Sequence, residues 1–209
     1  MSVVIAIDGT AASGKGTLAK KIAAHFGFAY LDTGSLYRAV GVKLEEQGGD
    51  PVTIAEGLTE ADLSHPGLRS REAGEWASKV AAMPEVRAAL LNFQRNFAKN
   101  PPHDAPGAVL DGRDIGTVIC PDADAKLYVT ASLEVRAARR AKELGGDASL
   151  AEIRADLEKR DARDQNRGAA PLSQAKDADL LDTSNLDIEA AFAAALALVN
   201  TALARKSAP

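Results

Sequence analysis

Short apolar runs alternate along this 209-residue chain with longer segments in which apolar positions recur three or four residues apart. The first pattern is typical of buried strands and the second of amphipathic helices. The expected strands are residues 3–7, 28–31, 108–110, 126–129 and 179–181. Strands that alternate with helices pair in parallel. The sequence therefore predicts an α/β fold with a parallel sheet of about five strands flanked by helices.

The expected helices share the three-to-four-residue repeat. They are residues 18–26, 35–46, 72–82, 84–97, 133–144, 150–163 and the C-terminal segment from residue 188. The predicted buried face of the fourth helix is Val86, Leu90, Phe93 and Phe97. That of the last helix is Ile188, Phe192, Leu196, Val199 and Leu203.

Three segments interrupt these patterns. Residues 48–51, Gly-Gly-Asp-Pro, end the second helix. Residues 52–71 follow neither repeat, and we expect a loop-rich insertion there. Residues 145–147, Gly-Gly-Asp, separate two predicted helices, and we expect a hinge at that point.

A glycine-rich loop lies between the first strand and the first helix, where residues 8–17 read Asp-Gly-Thr-Ala-Ala-Ser-Gly-Lys-Gly-Thr. Gly9 and Gly14 bracket four residues and precede Lys15. At this spacing backbone N–H groups surround polyphosphate oxygens while an ammonium group reaches the outer phosphates. The usual pattern has Ser or Thr directly after the lysine. Here Thr17 stands one position later, so its hydroxyl is the expected Mg²⁺ contact, directly or through water.

Polar residues also follow the second and third strands. They are Asp32-Thr33-Gly34 and Asp111-Gly112-Arg113-Asp114, and Asp8 stands at the equivalent place after the first strand. Because the carboxyl ends of parallel strands meet at one edge, we expect these residues to converge on one cleft. Two interpretations of Asp111 remain equal, namely an acid that faces a magnesium–nucleotide complex and a residue that caps a turn or helix.

Composition narrows the class of function. A hydrophobic content of 46% is enough for one sizeable core, and a net charge of −4 argues against a protein that coats nucleic acid. The single cysteine excludes an internal disulfide, and three separated histidines give no metal-ligand cluster. No stretch approaches the roughly 20 apolar residues of a membrane span, and the N-terminal run is too short for a secretion signal. We expect a cytoplasmic protein without membrane or nucleic-acid partners.

Arginines are numerous for a chain of negative net charge. Two groups have helical spacing. The first is Arg136, Arg139 and Arg140, and the second is Arg160, Arg163 and Arg167. Each group can lie on one helix face. Transfer of a phosphoryl group between two anions needs several fixed cations, which such faces supply. Ion pairs with neighbouring carboxylates explain any single arginine equally well.

Four blocks of this sequence closely resemble bacterial cytidylate kinases, and the resemblance runs almost end to end. The blocks are the glycine-rich loop, Leu-Asp-Thr-Gly-Ser-Leu-Tyr-Arg at 31–38, Asp-Gly-Arg-Asp-Ile-Gly-Thr-Val at 111–118, and Arg-Asp-Ala-Arg-Asp-Gln-Asn-Arg at 160–167 followed by Ala-Pro-Leu at 170–172. The loop ending Gly-Lys-Gly-Thr is shared by nucleoside-monophosphate kinases generally, whereas the Asp-Gly-Arg-Asp block and the last block are specific to this family. The resemblance implies a monomeric P-loop enzyme that transfers the γ-phosphoryl group of ATP, with Mg²⁺, to CMP or dCMP.

The resemblance also implies a role for each site residue. The ATP-binding residues would be Gly9, Thr10, Ala11, Ala12, Ser13, Gly14, Lys15, Gly16, Thr17, Arg136 and Arg140. The CMP-binding residues would be Thr33, Tyr37, Arg38, Ser78, Arg87, Arg113, Asp114, Arg160, Asp164 and Arg167. Among them, Thr33, Arg87 and Asp114 resemble the residues that read cytosine. The catalytic residues would be Lys15, Arg113, Arg163 and Arg167.

By the same resemblance, residues 1–209 form one kinase domain. Its parts would be a core of residues 1–50 and 104–209, a short NMP-binding insertion of about 51–103 and a helical lid of about 136–167. The insertion is shorter than is usual in the family and lacks strand-like alternation, so closure over the acceptor is expected to differ. Two alternatives stay open, namely a P-loop kinase for another acceptor such as UMP, AMP or a metabolite hydroxyl, and a nucleotide-binding protein without phosphotransfer.

Overall fold

A five-stranded parallel sheet forms the centre of the protein, in the strand order β2-β3-β1-β4-β5. The computed structural model describes residues 2–145 and 148–207. The strands are β1 (Val3–Gly9), β2 (Ala29–Asp32), β3 (Gly107–Gly112), β4 (Ala125–Thr130) and β5 (Asp179–Asp182). The predicted fold class and the five predicted strands are confirmed.

Helices cover both faces of the sheet. They are α1 (Lys15–Phe26), α2 (Thr33–Gln47), α3 (Pro51–Glu56), α4 (Glu60–Leu63), α5 (Arg71–Val80), α6 (Pro84–Lys99), α7 (Leu133–Leu144), α8 (Leu150–Asn166) and α9 (Ile188–Ser207). Two single turns of 3₁₀ helix, Pro66–Arg69 and Pro102–Asp104, and one π-helical turn, Ile115–Ile119, complete the described elements.

The sheet register brings the carboxyl ends of three strands together. In the pairing of β1 with β3, Ile7 lies beside Asp111 and Asp8 beside Gly112. In the pairing of β2 with β3, Asp32 lies beside Asp111. The loops that follow these strands therefore leave the sheet at one edge, as the sequence predicts.

Apolar side chains fill both faces of the sheet. On one face Ile5, Ile7 and Leu127 pack with Ile22 of α1 and Val199 of α9. The other face carries a separate cluster that includes Ala6, Leu31, Leu110 and Ile115. Strand residues that point alternately to the two faces are thus buried on both, which explains their continuous apolar runs in the sequence.

The prediction of a loop-rich segment at residues 52–71 is wrong, because most of it is helical. The Asp50 carboxylate accepts a hydrogen bond from the Thr53 N–H at 2.8 Å and caps α3, whose first residue is Pro51. Thr59 and Asp62 form a reciprocal capping box at α4. Helices of six and four residues are too short to show a repeat in the sequence, and caps rather than periodicity define them.

Two predicted helix faces are also partly wrong. On α6, Phe93 is 48% exposed, whereas Gln94 is 1% exposed and donates a hydrogen bond to the Leu90 carbonyl at 3.0 Å. A polar residue thus continues the buried row because it finds a local partner. On α9, Ile188 is 59% exposed, and the buried row is instead Ala191, Ala195 and Val199.

The hinge predicted at residues 145–147 is described only at its first residue. Gly145 ends α7 with φ 72°, and residues 146 and 147 lie outside the described residues.

The expectation that no segment is long and apolar enough to span a membrane is also wrong, because α9 passes that test. Its segment Ile188–Lys206 has a mean hydropathy of 1.4, and 17% of it is buried. Alanines supply much of this apolar character without bulk. One row of α9 packs against α1, β4 and β5, which is the arrangement of a helix that covers a sheet.

Candidate active site

The glycine-rich loop has a backbone that two of its glycines make possible. Gly9 has φ 148°, and a Cβ there would lie 1.9 Å from the carbonyl oxygen of Val129. Gly14 has φ 87° and stands directly before the first turn of α1. Other residues rarely adopt these angles. The loop therefore curls tightly between β1 and α1, and a glycine-rich loop of this kind can surround an anion with its backbone N–H groups.

Arginines of α7 hold this loop through its carbonyl oxygens. Arg136 is 6% exposed and donates to the Ala11 carbonyl at 3.2 Å, and its guanidinium lies 2.7 Å from an Asp161 oxygen. Arg139 donates to the Ser13 carbonyl at 3.1 Å. These contacts fix the outer side of the loop. The helical spacing in the sequence identifies the arginine face but not the backbone atoms that it binds.

Lys15 and Asp111 meet at the floor of the cleft. The Lys15 Nζ lies 3.5 Å from Asp111 Oδ1, and the Tyr30 hydroxyl donates to Asp111 Oδ2 at 2.7 Å. Burial lowers the pKa of Lys15 to about 8 and raises the pKa of Asp111 above its ordinary value. Of the two interpretations of Asp111, this geometry favours the acid that faces the cleft, because its carboxylate contacts side chains and not a capped turn.

A large cavity of about 530 Å³ opens beside the loop. Its polar and charged lining includes Ser13, Lys15, Thr17, Lys20, Tyr30, Asp32, Arg38, Arg69, Asp111, Arg113, Arg140, Glu143 and Arg160. All of residues 11–17 in the glycine-rich loop line it. This volume lies within the range of roughly 300–1,000 Å³ of small-molecule sites. Of the predicted ATP-binding residues, 11–17 and Arg140 thus come together at this cavity, while Arg136 supports the loop.

A small cavity of about 50 Å³ adjoins the large one. Its lining includes the predicted residues Thr33, Tyr37, Arg38, Ser78, Arg113, Asp114, Arg160, Asp164 and Arg167. Four cations line both cavities, and they are Lys15, Arg38, Arg113 and Arg160. The carboxylates of Asp32 and Asp111 share this common wall. The two cavities thus meet at a cluster of mostly positive side chains.

Two carboxylates organise the arginines of the small cavity. Asp114 pairs with Arg87 through one oxygen and with Arg167 at 3.1 Å through the other. Asp164 accepts hydrogen bonds from Arg113 Nε at 2.9 Å and from the Ser78 hydroxyl at 3.2 Å. Burial opposes the ionisation of Asp164, but Arg113 and Arg160 outweigh it and hold its pKa below the ordinary value.

The start of α2 supplies the remaining polar wall. The Asp32 carboxylate accepts from the Ser35 N–H at 3.2 Å and pairs with Arg38 at 3.0 Å. Thr33 donates from its hydroxyl to the Asp111 carbonyl at 2.8 Å. The Tyr37 ring lies under Arg87, whose Cζ is 5.7 Å from the ring centroid. Arg87 is therefore placed by Asp114 and Tyr37, although it contributes no surface to the small cavity.

Arg163 lies apart from the two cavities, in a third one of about 50 Å³ between α5, α7 and α8. Arg140 and Arg160 line both this third cavity and the large one. Arg163 thus lines a cavity next to the one that contains Lys15. Tyr30 and Asp32 line the large cavity but are missing from the predicted ligand set. A lone tyrosine in an apolar run gives no sequence signal for this position. Asp32 did carry one, because it directly follows a strand.

Asp8 does not face the cleft, contrary to the expectation from its place directly after the predicted first strand, residues 3–7. Its two carboxylate oxygens accept hydrogen bonds from the Ile115 and Gly116 N–H groups, both at 2.8 Å. Burial raises the pKa of Asp8 to about 7. The position after a strand indicated a ligand contact, but the carboxylate is engaged with backbone.

Comparisons with known proteins agree with the resemblance read from the motifs. The family profile described as cytidylate kinase matches residues 5–59 and 55–201. A protein from Cereibacter sphaeroides named cytidylate kinase is 62% identical over 194 residues, covering 91% of this chain and 92% of that protein. One of the same name from Paramagnetospirillum magneticum is 56% identical, covering 96% of this chain and 99% of that protein.

The fold is shared more widely. The crystal structure of a sugar kinase from a Janibacter species matches with a TM-score of 0.53 at 14% identity and covers 98% of each chain. At this identity the match shows the fold alone. The family profile and the relatives together cover nearly the whole sequence, and this chain belongs to the cytidylate kinase family.

Proposed function

We propose that this protein transfers the γ-phosphoryl group of ATP to CMP or dCMP and so forms CDP or dCDP. One observation carries the proposal beyond family membership. The large cavity beside the glycine-rich loop and the small cavity beside Asp114 meet at the wall that Lys15, Arg38 and Arg113 line together. Two nucleotides bound in these cavities would bring their phosphate ends to the same cations.

The shared wall suits transfer between two anions. Donor and acceptor phosphates repel each other, and the migrating group carries negative charge throughout the transfer. Lys15, Arg113 and Arg160 are fixed beside Asp111 and Asp164, so their charges are in place before the substrates arrive. Preorganised cations stabilise the transition state without reorganisation. We assign no covalent intermediate to the protein, because positioning and charge stabilisation account for this reaction class.

The small cavity suits a cytosine base. Asp114 offers a carboxylate, Arg167 offers guanidinium donors, and Thr33 lines the same cavity. Arg87 acts indirectly, because it pairs with the Asp114 carboxylate. Cytosine has an exocyclic amine that donates and ring N3 and O2 atoms that accept. Uracil has a carbonyl in place of the amine and would set an acceptor against the carboxylate. A buried mismatch of this kind costs roughly 1–3 kcal/mol, which corresponds to about tenfold to a hundredfold discrimination.

Mg²⁺ fits the donor set of the large cavity. Oxygen ligands are those that Mg²⁺ prefers, and the ion usually takes one or two carboxylates together with substrate phosphates and water. Asp111 and Thr17 provide such oxygens on the side of Lys15. Among residues 2–145 and 148–207 no group of three or more His, Cys, Asp or Glu side chains forms a metal cluster, which is consistent with an ion held mainly by nucleotide and water. When bound, Mg²⁺ would neutralise charge on the donor phosphates.

Residues of the proposed insertion contact residues of the proposed lid. Arg71 of α5 donates to Asp156 of α8 at 2.6 Å, and Arg140 of α7 donates to the Ser70 carbonyl at 3.3 Å. The small cavity, at about 50 Å³, is far below the roughly 300 Å³ of a typical ligand site. We infer that the proposed insertion, residues 51–103, and the proposed lid, residues 136–167, separate to admit CMP and then close to exclude water.

The remaining assignments extend the proposal. We assign Lys15, Arg113, Arg163 and Arg167 to catalysis. Arg163 would reach the phosphates only through movement of the proposed lid, because it lines the neighbouring third cavity. We also propose that the protein acts as a cytoplasmic monomer without nucleic-acid or membrane partners. The net charge of −4 supports the absence of a nucleic-acid partner, and the packing of α9 on the sheet supports the absence of a membrane partner.

A panel of acceptors tests the proposed function. Purified protein would be incubated with ATP, Mg²⁺ and, separately, CMP, dCMP, UMP and AMP, and nucleoside diphosphates would be quantified by chromatography. We expect CDP and dCDP, with UMP used at least about tenfold less efficiently. Preferred phosphorylation of UMP or AMP would show a kinase for another acceptor. ATP binding without any diphosphate product would show a nucleotide-binding protein that does not transfer phosphate.

A further inference from the structure

A π-helical turn directly follows Asp114, and side chains from distant parts of the chain hold both of its ends. The turn spans Ile115–Ile119. Such turns are rare and concentrate at functional sites. Asp8 accepts from the first two N–H groups of the turn at 2.8 Å each. At the other end Arg95 donates to the carbonyls of Val118 and Ile119 at 3.0 and 3.1 Å.

Asp8 performs at this turn the role that Asp114 would ordinarily have. An aspartate that precedes a helical turn commonly caps it by accepting its first N–H groups. Asp114 makes no such bond, and its two oxygens pair with Arg87 and Arg167 at the small cavity. Because Asp8 satisfies the first two N–H groups of the turn, the Asp114 carboxylate is left for the cavity.

The position of Asp8 is itself tightly defined. Asp8 is 5% exposed and lies in the middle of the sheet, beside Gly112 of β3 and Tyr128 of β4. It directly precedes Gly9, the first glycine of the phosphate loop. One residue therefore connects the strand that delivers the loop to the segment that carries Arg113 and Asp114. A buried carboxylate with both oxygens bound to backbone is a rigid support.

We propose that Asp8 is a positioning residue for acceptor recognition, which keeps the Ile115–Ile119 turn in register so that the Asp114 carboxylate faces the small cavity. The inference rests on the proposed function, in which Asp114 reads the cytosine base. Asp8 itself lines neither the large nor the small cavity. Its loss would act on CMP through Asp114 and would spare the large cavity, whose charged wall contains neither residue.

The test compares substrate discrimination in Asp8→Asn and in the unsubstituted protein. Asparagine has nearly the same shape but only one acceptor oxygen, so one backbone N–H loses its partner. We expect KM for CMP to rise about tenfold, KM for ATP to stay within about twofold, and the kcat/KM ratio of CMP over UMP to fall. A purely structural role would lower the amount of folded protein and leave that ratio unchanged.

A double variant shows whether Asp8 acts through Asp114. If it does, Asp8→Asn causes no further loss of the CMP-to-UMP ratio in an Asp114→Asn background. Independent, additive losses would overturn the inference, and so would an equal rise of KM for both substrates in the single variant. Failure of the unsubstituted protein to form CDP would contradict the proposed function itself and, with it, the role of Asp8.

Arg95→Gln provides a second test at the other end of the same turn. It removes the donors to Val118 and Ile119 without changing a buried residue. The matched control is Arg205→Gln, which removes an exposed arginine that bonds to Asp179 on the far edge of the sheet. We expect KM for CMP to rise about threefold in the first and stay unchanged in the second. If Asp8→Asn does not yield folded protein, equal KM values in these two variants overturn the inference.

Discussion

At the residue scale, Lys15 is a mostly buried cation that lies 3.5 Å from the Asp111 carboxylate, and this combination makes its charge sensitive to pH. Desolvation favours the neutral amine, whereas Asp111 at 3.5 Å favours the ammonium form. Desolvation dominates and lowers the pKa from 10.5 to about 8. The proposed role of Lys15 at the donor phosphates requires the charged form, so activity and titration are linked.

The kcat/KM for ATP is therefore expected to fall as pH rises above about 8, because this parameter reports ionisation in protein that has not yet bound ATP. The kcat/KM falls rather than rises with pH because a lysine loses its charge above its pKa. In Lys15→Arg the guanidinium stays charged, and the falling limb should move to higher pH even though overall activity is lower. The measurement is a pH series at saturating CMP. An unchanged limb in Lys15→Arg, or a flat profile to pH 10, would contradict the assignment.

Asp114 carries the proposed selectivity for the base. Asp114→Asn removes the charge that Arg87 and Arg167 share and places an amide group where the cytosine amine would donate. We expect KM for CMP to rise about tenfold or more, with little change for ATP, and the preference for CMP over UMP to fall by about tenfold to a hundredfold. Steady-state kinetics with both acceptors measure this. Equal losses for CMP and ATP would count against base reading, and thermal unfolding would show whether the fold is retained.

Residue types and spacing predicted which side chains gather at the cleft, but not always what each one contacts. Lys15, Asp114 and Thr33 come together as their place after strands suggests. Arg136 and Arg139 lie on the predicted helix face, yet they bind loop carbonyls. Helical spacing predicts the face of the helix on which a side chain lies. The group that this side chain binds belongs to another part of the chain and is not given by the spacing. For the same reason the sequence could not show that Asp8 turns toward Ile115.

At the element scale, the strand β1 and the phosphate loop are joined at a glycine that the neighbouring strand makes necessary. A Cβ on Gly9 would overlap the Val129 carbonyl of β4. The loop can therefore keep its shape only if position 9 lacks a side chain. The requirement arises from β1–β4 pairing, so packing of the sheet and shape of the loop are coupled.

Gly9→Ala is expected to destabilise the fold by on the order of 3 kcal/mol or more, because the new methyl group meets backbone rather than a movable side chain. Gly27→Ala is the matched control. Gly27 also has a positive φ, 67°, but a Cβ there meets nothing within 4 Å, so we expect a loss of about 1 kcal/mol. Urea unfolding of both variants gives the comparison. Similar losses would contradict the role of the β4 contact.

The elements that the sequence predicts well are those with many consistent positions. The strands β1, β3 and β4 have apolar runs that are mostly buried, and α1 has a repeat that ends at a glycine. The short helices α3 and α4 were missed because capping by Asp50 and Thr59, not periodicity, defines them. The faces of α6 and α9 shifted because Gln94 and alanines can replace larger apolar residues in a buried row.

At the scale of the whole molecule, the function depends on where separate elements meet. The sheet edge delivers Lys15, Asp111 and Arg113, whereas α2 supplies Arg38 and α8 supplies Arg160. These side chains form one wall between two cavities. Sequence motifs identify the contributors, but only the three-dimensional structure shows that the cavities are adjacent. This adjacency is the central claim, because two nucleotides must meet there end to end.

A bisubstrate ligand tests this claim most directly. Adenosine and cytidine joined through their 5′ oxygens by a polyphosphate chain would fill both cavities and place the chain along the wall of Lys15, Arg38 and Arg113. We predict that one molecule binds per protein and competes with both ATP and CMP, and that Lys15→Ala weakens it by about tenfold or more. Competition with only one substrate, or binding of the ligand alongside either substrate, would contradict the account.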